Sequence, residues 1–407
     1  MVILNSQAVR KGASIFNYGL FVMAVTHTLI HVFGRIHPAL FPIFRTEFDL
    51  TIQQLGLIAS VPPLCSAIIS IPSGFLTDKL GSRKILITCF LISGSAAIMI
   101  SQSVDPIMLT VAISAAILTS TPYHTASFSY VTKRFSEKER SKALGIHNAG
   151  GTLGVALGPL SLTLLVGTLG WRWRWLYLFW AFPIIAIIIA VWKLRFIQNS
   201  ESEKDKAGKE KAEKLEELQR NDFKSLLSIG LIMLLIANGI RMFGNGILDS
   251  FIPTYLCDVK GLTVSQASLI FGFDSLMGVA AAPLGGYLAD RFGNKRWLMV
   301  AVAAGAISLF SSSLTPNIIL FIGLYFLSRF FSSSGMAANQ SIAAKLSPSR
   351  QRGMGFALLF LPGSLIGSFA PIIGANIAEL SGLSFLFPVS VTITLVSLIV
   401  LKFGVKA

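Results

Sequence analysis

GFLTDKLGSRK, residues 74–84, places Asp78, Lys79, Arg83 and Lys84, with the helix-breaking Gly74 and Gly81, between two long apolar runs. A near copy, GYLADRFGNKR, occupies residues 286–296. Asp78 and Asp290, Gly81 and Gly293, and Lys84 and Arg296 are each 212 residues apart. A charged turn repeated at half-chain distance in so apolar a chain predicts two copies of one membrane module.

Composition agrees. Of 407 residues 53% are hydrophobic and 13% charged, about half the charged share of a soluble domain. The net charge of +15 could suggest nucleic acid, but its distribution reads as a membrane-orientation signal, so no nucleic-acid partner is expected. Cys65, Cys89 and Cys257 lie in or at the ends of apolar runs and form no disulfide or metal spacing. Arg10 and Lys11 precede an apolar run longer than a signal-peptide core, so that run is expected to remain as the first span.

A spanning helix needs about 20 mostly apolar residues. That ruler yields twelve candidates, six of them roughly at 14–42, 52–76, 84–103, 107–130, 142–168 and 174–195. The other six lie roughly at 226–256, 264–288, 296–314, 317–345, 353–380 and 383–402. Irregular backbone cannot face hydrocarbon, and the alternating strands of a membrane barrel are absent. The fold class is therefore all-α: twelve membrane helices in two pseudo-symmetric six-helix bundles, residues 1–195 and 225–407, joined by a polar linker at 196–224.

Of the 34 basic residues, Arg45, Arg172, Arg174 and Lys260 fall in one set of turns and Arg35, Arg241 and Arg329 within helices. The remaining 27 lie at the termini, in the linker and in the other set of turns. By the positive-inside rule this predicts a multi-pass protein of the cytoplasmic membrane with both termini cytoplasmic. The turn WRWRW, residues 171–175, reads as an interfacial aromatic belt rather than a ligand cage. The 212-residue repeat also pairs Leu50–Thr51 with Leu262–Thr263, Gln54 with Gln266 and Arg140 with Arg352.

With these features the chain resembles the major facilitator superfamily of secondary transporters over essentially its whole length. Gly74–Lys84 is similar to the superfamily's G-x-L-a-D-r-x-G-r-k loop between the second and third helices, and Gly286–Arg296 to its degenerate echo. The resemblance implies a cytoplasmic gate carried by Gly74, Asp78, Gly81, Arg83, Lys84, Gly286, Asp290 and Gly293. In the fifth helix Gly145, Gly154, Gly158 and Pro159 match the G-x8-G-x3-G-P core of a signature associated with proton-exchanging exporters. Leu162 and Thr163 stand where that signature closes on a glycine pair. The same glycines would serve close helix packing in any membrane bundle. The arginine that many such exporters carry in the fourth helix is absent; Tyr123 and His124 stand there. PALFPIFRTEFDLTIQQLGLI, YHTA and HNAGGTLGVALGP are similar to a fosmidomycin-resistance-like branch, which implies efflux of a small anion.

Ionisable groups inside spans are costly, and so they are candidate functional residues. His27, His31 and Arg35 recur every fourth residue, within an arc of about 80° on one helix face. Asn238, Arg241, Asn245 and Asp249 fall within a similar arc in the seventh helix. Two such stripes predict a substrate site built from His27, His31, Arg35, Tyr123, His124, Asn238, Arg241, Asn245 and Arg329. His27 and His31 are spaced like a metal pair, but no carboxylate or cysteine in the sequence completes the set, so no metal is assigned. They read instead as a proton-sensitive pair or as interhelical hydrogen-bonding groups. Asp274, then Asp249, are the candidate proton carriers, since burial disfavours the charged form of a carboxylate. Arg241 could alternatively hold one of them in an ion pair, and Arg329 could be a packing residue satisfied by carbonyls.

Three intramembrane arginines against two aspartates favour an anion, which a guanidinium recognises through its planar fork. The expectation is a proton-coupled secondary transporter, not an enzyme. It moves a small organic anion outward by alternating access, works as a monomer in the lipid bilayer and needs no cofactor. A proton-coupled importer, a channel and a membrane-embedded enzyme are the alternatives. No G-x4-G-K-[ST] phosphate loop is present for ATP hydrolysis, and His27, His31, His124 and His147 show no flanking acidic motif for catalysis.

Overall fold

A computed structural model describes residues 17–194, 228–347 and 365–405, without the side chains of Ile71, Asp78, Glu137, Lys138 and Ser141. Polar sequence gaps of a few residues separate long apolar stretches, and each stretch has closed its backbone hydrogen bonds on itself as a helix. In order these are α1 (Tyr18–Ala39), α2 (Phe41–Glu47), α3 (Ile52–Leu80), α4 (Ser82–Ser101), α5 (Pro106–Leu118), α6 (Ser120–Arg134), α7 (Glu137–Leu162) and α8 (Trp173–Lys193). They continue as α9 (Ile229–Asp249), α10 (Ile252–Asp258), α11 (Val264–Phe292), α12 (Asn294–Leu314), α13 (Ile318–Leu346), α14 (Ala370–Ser381) and α15 (Leu386–Gly404).

Among the described residues eleven helical spans are long and apolar enough to cross a membrane, α5–α6 counting as one and α9–α10 as another. The remaining predicted span, 353–380, is described only from residue 365. The predicted linker 196–224 and the repeat landmark Arg352 lie outside the described residues. The protein is all-α and multi-pass.

The 212-residue repeat reaches down to single hydrogen bonds. Thr51 and Thr263 each form a reciprocal capping box with the glutamine three residues on, Gln54 and Gln266. This satisfies amides that a helix start leaves unpaired. Asp105 caps α5 by accepting from Ile107 N and Met108 N, and Asn317, 212 residues later, caps α13 in the same way. Gly81 (φ 81°) and Gly293 (φ 91°) each turn the chain sharply between two helices, in a backbone region that a side chain would strain. Two residues beyond each glycine, Arg83 donates to the carbonyl of Leu194 (2.5 Å) at the end of α8. Lys295 donates to the carbonyls of Lys402 (3.0 Å) and Val405 (2.6 Å) at the end of α15. Equivalent cations thus satisfy carbonyls that the ends of two equivalent helices leave unpaired.

Packing divides the described chain into two compact units, 17–37 with 65–194 and 38–64 with 228–347 and 365–405. The division departs from the expected boundary in one respect, because residues 38–64 belong to the second unit. There Arg45 Nη1 donates to Asp258 Oδ2 (2.5 Å), and Ile372 N donates to Ser60 Oγ (3.0 Å). The reason is local. Pro38 lies at the last turn of α1 and Pro42 opens α2, so the chain is redirected before it can continue the α1 surface.

In lipid, helices associate by close van der Waals contact rather than by hydrophobic burial, and glycines mark where this occurs. In the first unit Gly150, Gly154 and Gly158 of α7 lie against the backbone of Ala24, Thr28 and Val32 of α1, so that a Cβ at any of them would overlap main-chain atoms. Thr28 Oγ1 also donates to the Gly150 carbonyl (2.9 Å). In the second unit Gly374 of α14 lies in the same way against Ile247 of α9.

Candidate functional site

Asn238, Arg241 and Asn245 line a cavity of about 240 Å3 in the second unit, closed by Ser328, Asn339 and Gln340 of α13 among others. Arg241 Nη2 donates to Asn238 Oδ1 (2.6 Å), which also accepts from Asn339 Nδ2 (3.3 Å). Among the described residues no carboxylate pairs with Arg241. The site therefore presents a guanidinium oriented by a neutral amide, with its positive charge uncompensated there.

Asp249, the fourth member of the stripe, has a different partner. Its Oδ1 accepts from Arg329 Nη2, and Arg329 Nε lies 3.4 Å from Asp274 Oδ2. Tyr325, one helical turn before Arg329, donates its hydroxyl to Asp274 Oδ2 (2.5 Å) and accepts from Arg329 Nε (3.1 Å) and Nη2 (3.0 Å). Ser275 donates to Asp274 Oδ1 (3.0 Å). The Asp274 side chain is 2% exposed and that of Asp249 40%.

Two sequence expectations are corrected here. Arg329 rather than Arg241 holds the aspartates, and it is satisfied by carboxylates rather than by carbonyls. Arg329 donates to the Asp249 carboxylate and lies beside that of Asp274, so its charge faces protein carboxylates. Tyr325 was missed; the signal available for it was its position one turn from Arg329 on the same helix face.

In the first unit the α1 stripe meets α6. His27 Nε2 lies 3.0 Å and His31 Nε2 3.1 Å from His124 Nε2. His27 Nδ1 donates to the carbonyl of His147 (2.7 Å) and His124 Nδ1 to that of Ser120 (2.6 Å). The His147 ring stacks on His27 with centroids 4.1 Å apart. Arg35 is half-buried on the same face. Tyr123 is fully buried, and its hydroxyl bonds to Thr26 Oγ1 (2.8 Å) and the Met23 carbonyl (3.3 Å).

Around the charged turns, Lys84 and Asp290 are exposed, Gly74 lies within α3 and Gly286 within α11. The side chain of Asp78 lies outside the description. Of the predicted glycines in α7, Gly154 and Gly158 make the backbone contacts described above, whereas Gly145 faces open space. At Leu162 and Thr163 the α-helix gives way to a π-helical turn, Thr163–Thr168. In WRWRW, Trp171 and Trp175 are exposed and Trp173 is buried, so the three indoles do not form a cage.

Spans that cross and recross a bilayer, duplicated in two halves, with polar stripes and a cavity among them, define a protein of the membrane solute-carrier class. The sequence pattern of the Major Facilitator Superfamily matches residues 20–311 and 234–407, and the chain belongs to that family, whose members are membrane transporters rather than enzymes. Among relatives, it is 28% identical over 279 residues to the fosmidomycin resistance protein of Escherichia coli K12, a match covering 67% of this chain and 65% of that protein. It is 25% identical over 280 residues to the probable sulfoacetate transporter SauU of Cupriavidus necator, covering 65% and 63%. The matched stretch thus spans slightly under two thirds of either relative. Among solved structures, a bacterial homolog of the human lysosomal transporter Spinster superposes with a TM-score of 0.78 at 17% identity, covering 97% of both chains.

Proposed function

We propose that this chain is a secondary active transporter of a small organic anion, coupled to protons and working outward. The observation that carries the anion is Arg241: a guanidinium in a cavity, oriented by Asn238, with no described carboxylate beside it. A fixed positive charge in a desolvated setting favours a solute that brings its own negative charge. A volume of about 240 Å3 lies below the ~300–1,000 Å3 of drug-sized pockets, which suits a metabolite-sized solute. Fosmidomycin and sulfoacetate, named in two relatives, are small phosphonate and sulfonate anions, in keeping with this reading.

Proton coupling is assigned to the Asp249–Arg329–Asp274 group. A guanidinium shared by two carboxylates stays paired when either one takes a proton, so the group can change charge without stranding Arg329. Asp274 is the assigned carrier. Access alternates as the two halves of the chain rock, with Gly74–Lys84 and Gly286–Arg296 at the cytoplasmic gate and both termini cytoplasmic. The outward direction rests on the resemblance to the fosmidomycin-resistance protein, because Gly154 and Gly158 are already explained by helix packing.

Counterflow in proteoliposomes of the purified chain, with a panel of organic anions, cations and sugars, tests the reading. Anions are expected to exchange saturably. Arg241→Gln removes one charge-assisted contact of about 1.5–3 kcal/mol, roughly a ten- to hundredfold loss of apparent affinity. Exchange of cations alone, or unchanged anion affinity in Arg241→Gln, refutes it.

A further inference from the structure

The three imidazoles His27, His31 and His124 present a problem that a protein-only account leaves unsolved. The His147 carbonyl at 2.7 Å and the Ser120 carbonyl at 2.6 Å can only accept, so Nδ1 of His27 and of His124 each carries a hydrogen. In the neutral rings, Nε2 of both is then a lone pair. Those two lone pairs face each other at 3.0 Å. The Nε2 of His31 comes to 3.1 Å of the same His124 atom. Two acceptors at that distance repel unless something positive lies between them.

We infer that the first unit carries a binding site for a divalent transition metal of the zinc class, with His27, His31 and His124 as ligands through Nε2. A ligand atom from each of the three lies within 4.8 Å of the others. Tetrahedral bonds of about 2.0–2.1 Å separate their nitrogens by about 3.3 Å, so small ring rotations bring all three into range. The backbone supports the assignment: metal-bound histidines characteristically donate their second N–H to a carbonyl or carboxylate, which fixes the tautomer, and two of the three already do so. A shared proton satisfies only two of the converging nitrogens; a metal ion satisfies three. All three donors are imidazole, which suits Zn2+, Ni2+, Co2+ or Cu2+ and not Mg2+ or Ca2+. Three protein ligands leave a fourth position for water or a solute oxygen.

The geometry also provides a probe that removes no ligand. A Cβ at Gly151 would come within 2.7 Å of His27 Cε1 and 2.8 Å of its Nε2, so Gly151→Ala displaces that ring while leaving all three histidines in the chain. His147 is not a ligand in this scheme; its ring nitrogens face the Met23 carbonyl (3.1 Å) and Ser127 Oγ (3.3 Å).

The test is metal binding to the full chain, purified in detergent without a histidine tag, so its outcome is independent of whether transport is anionic or proton-coupled. Calorimetric titration with Zn2+ should give one saturable site, and Co2+ should give the visible d–d absorption of a four-coordinate site. His31→Gln and His124→Gln should each weaken Zn2+ at least tenfold, and Gly151→Ala should weaken it by a comparable factor. His37→Gln, which alters a histidine of α1 outside the cluster, should leave binding unchanged. Monodispersity and melting temperature establish that each variant is folded, and any variant that is not is replaced by Gly151→Ala as the deciding comparison. Absence of a saturable site, or equal Zn2+ affinity in wild type, His124→Gln and Gly151→Ala, overturns the inference.

Discussion

Replacing Arg329 by glutamine, Asp274 by asparagine, and both together measures whether the buried charges of the second unit act as one group. Arg329→Gln removes the guanidinium beside the Asp274 carboxylate, which is 2% exposed and accepts from the neutral hydroxyls of Tyr325 and Ser275. Breaking a buried pair from one side costs about 3–5 kcal/mol, because the remaining charge is uncompensated. Asp274→Asn is milder. It leaves Arg329 with Asp249, whose side chain is 40% exposed and so partly hydrated, and the loss is that of a charge-assisted hydrogen bond, about 1–3 kcal/mol. In the double variant two neutral amides face each other, and most of the desolvation penalty of the first change disappears. The double variant should therefore be less destabilised than the two single variants added together, by a coupling of about 1–3 kcal/mol. Unfolding in detergent micelles, followed by tryptophan fluorescence against denaturant, reads all four corners of the cycle. Additivity to within about 0.5 kcal/mol would falsify the shared-charge account and leave the proton-coupling proposal without its physical basis.

Gly154→Ala places a methyl group into the Thr28 backbone and should cost about 1–3 kcal/mol by overpacking, whereas Gly145→Ala meets open space and should gain about 0.5–1 kcal/mol of helix propensity. Melting temperatures of the two variants moving in the same direction would contradict the packing account. Asp274→Asn in proteoliposomes should retain solute exchange and lose proton-driven accumulation; unimpaired uphill transport eliminates Asp274 as the carrier. The Arg45–Asp258 pair has side chains 41% and 36% exposed, so Arg45→Ala should change stability by less than about 1 kcal/mol, and less still at high salt. A loss several times larger would show that the pair is shielded from water.

How far the sequence could be read depended on the distance over which each feature is decided. The turns were legible because their chemistry is local: Gly81 and Gly293 need positive φ, and Thr51 and Gln54 are three residues apart. The stripes on α1 and α9 were legible as well, since helical period places neighbours on one face. What periodicity does not disclose is the partner. Arg329 reaches Asp249 across 80 residues, Tyr325 reaches Asp274 across 51, and His27 reaches His124 across 97. From residue types alone Arg241 was as plausible a partner for an aspartate as Arg329. For the same reason His124, placed with His27 and His31 in the expected substrate site, could not be seen from sequence to bring its Nε2 to theirs. Glycines were ambiguous in another way. Gly145 and Gly154 look alike in the chain, and only the position of α1 distinguishes a contact from open space. The segment 38–64 lies within the expected first bundle in sequence yet groups with the second unit, and the turn at Pro38 and Pro42 carries too little sequence signal to indicate that.

Arg83 and Lys295 also bear on how the chain is made. Each closes its last helix with a cation placed near the start of the third span of the same repeat, at chain separations of 111 and at most 110 residues. As the chain leaves the ribosome, the first repeat can therefore complete its closure as soon as α8 has emerged. Residues 38–64 cannot, because Asp258 and Ile372, to which they bond, have not yet been synthesised. The partners of that segment are thus completed only after more than half of the protein has been added to it.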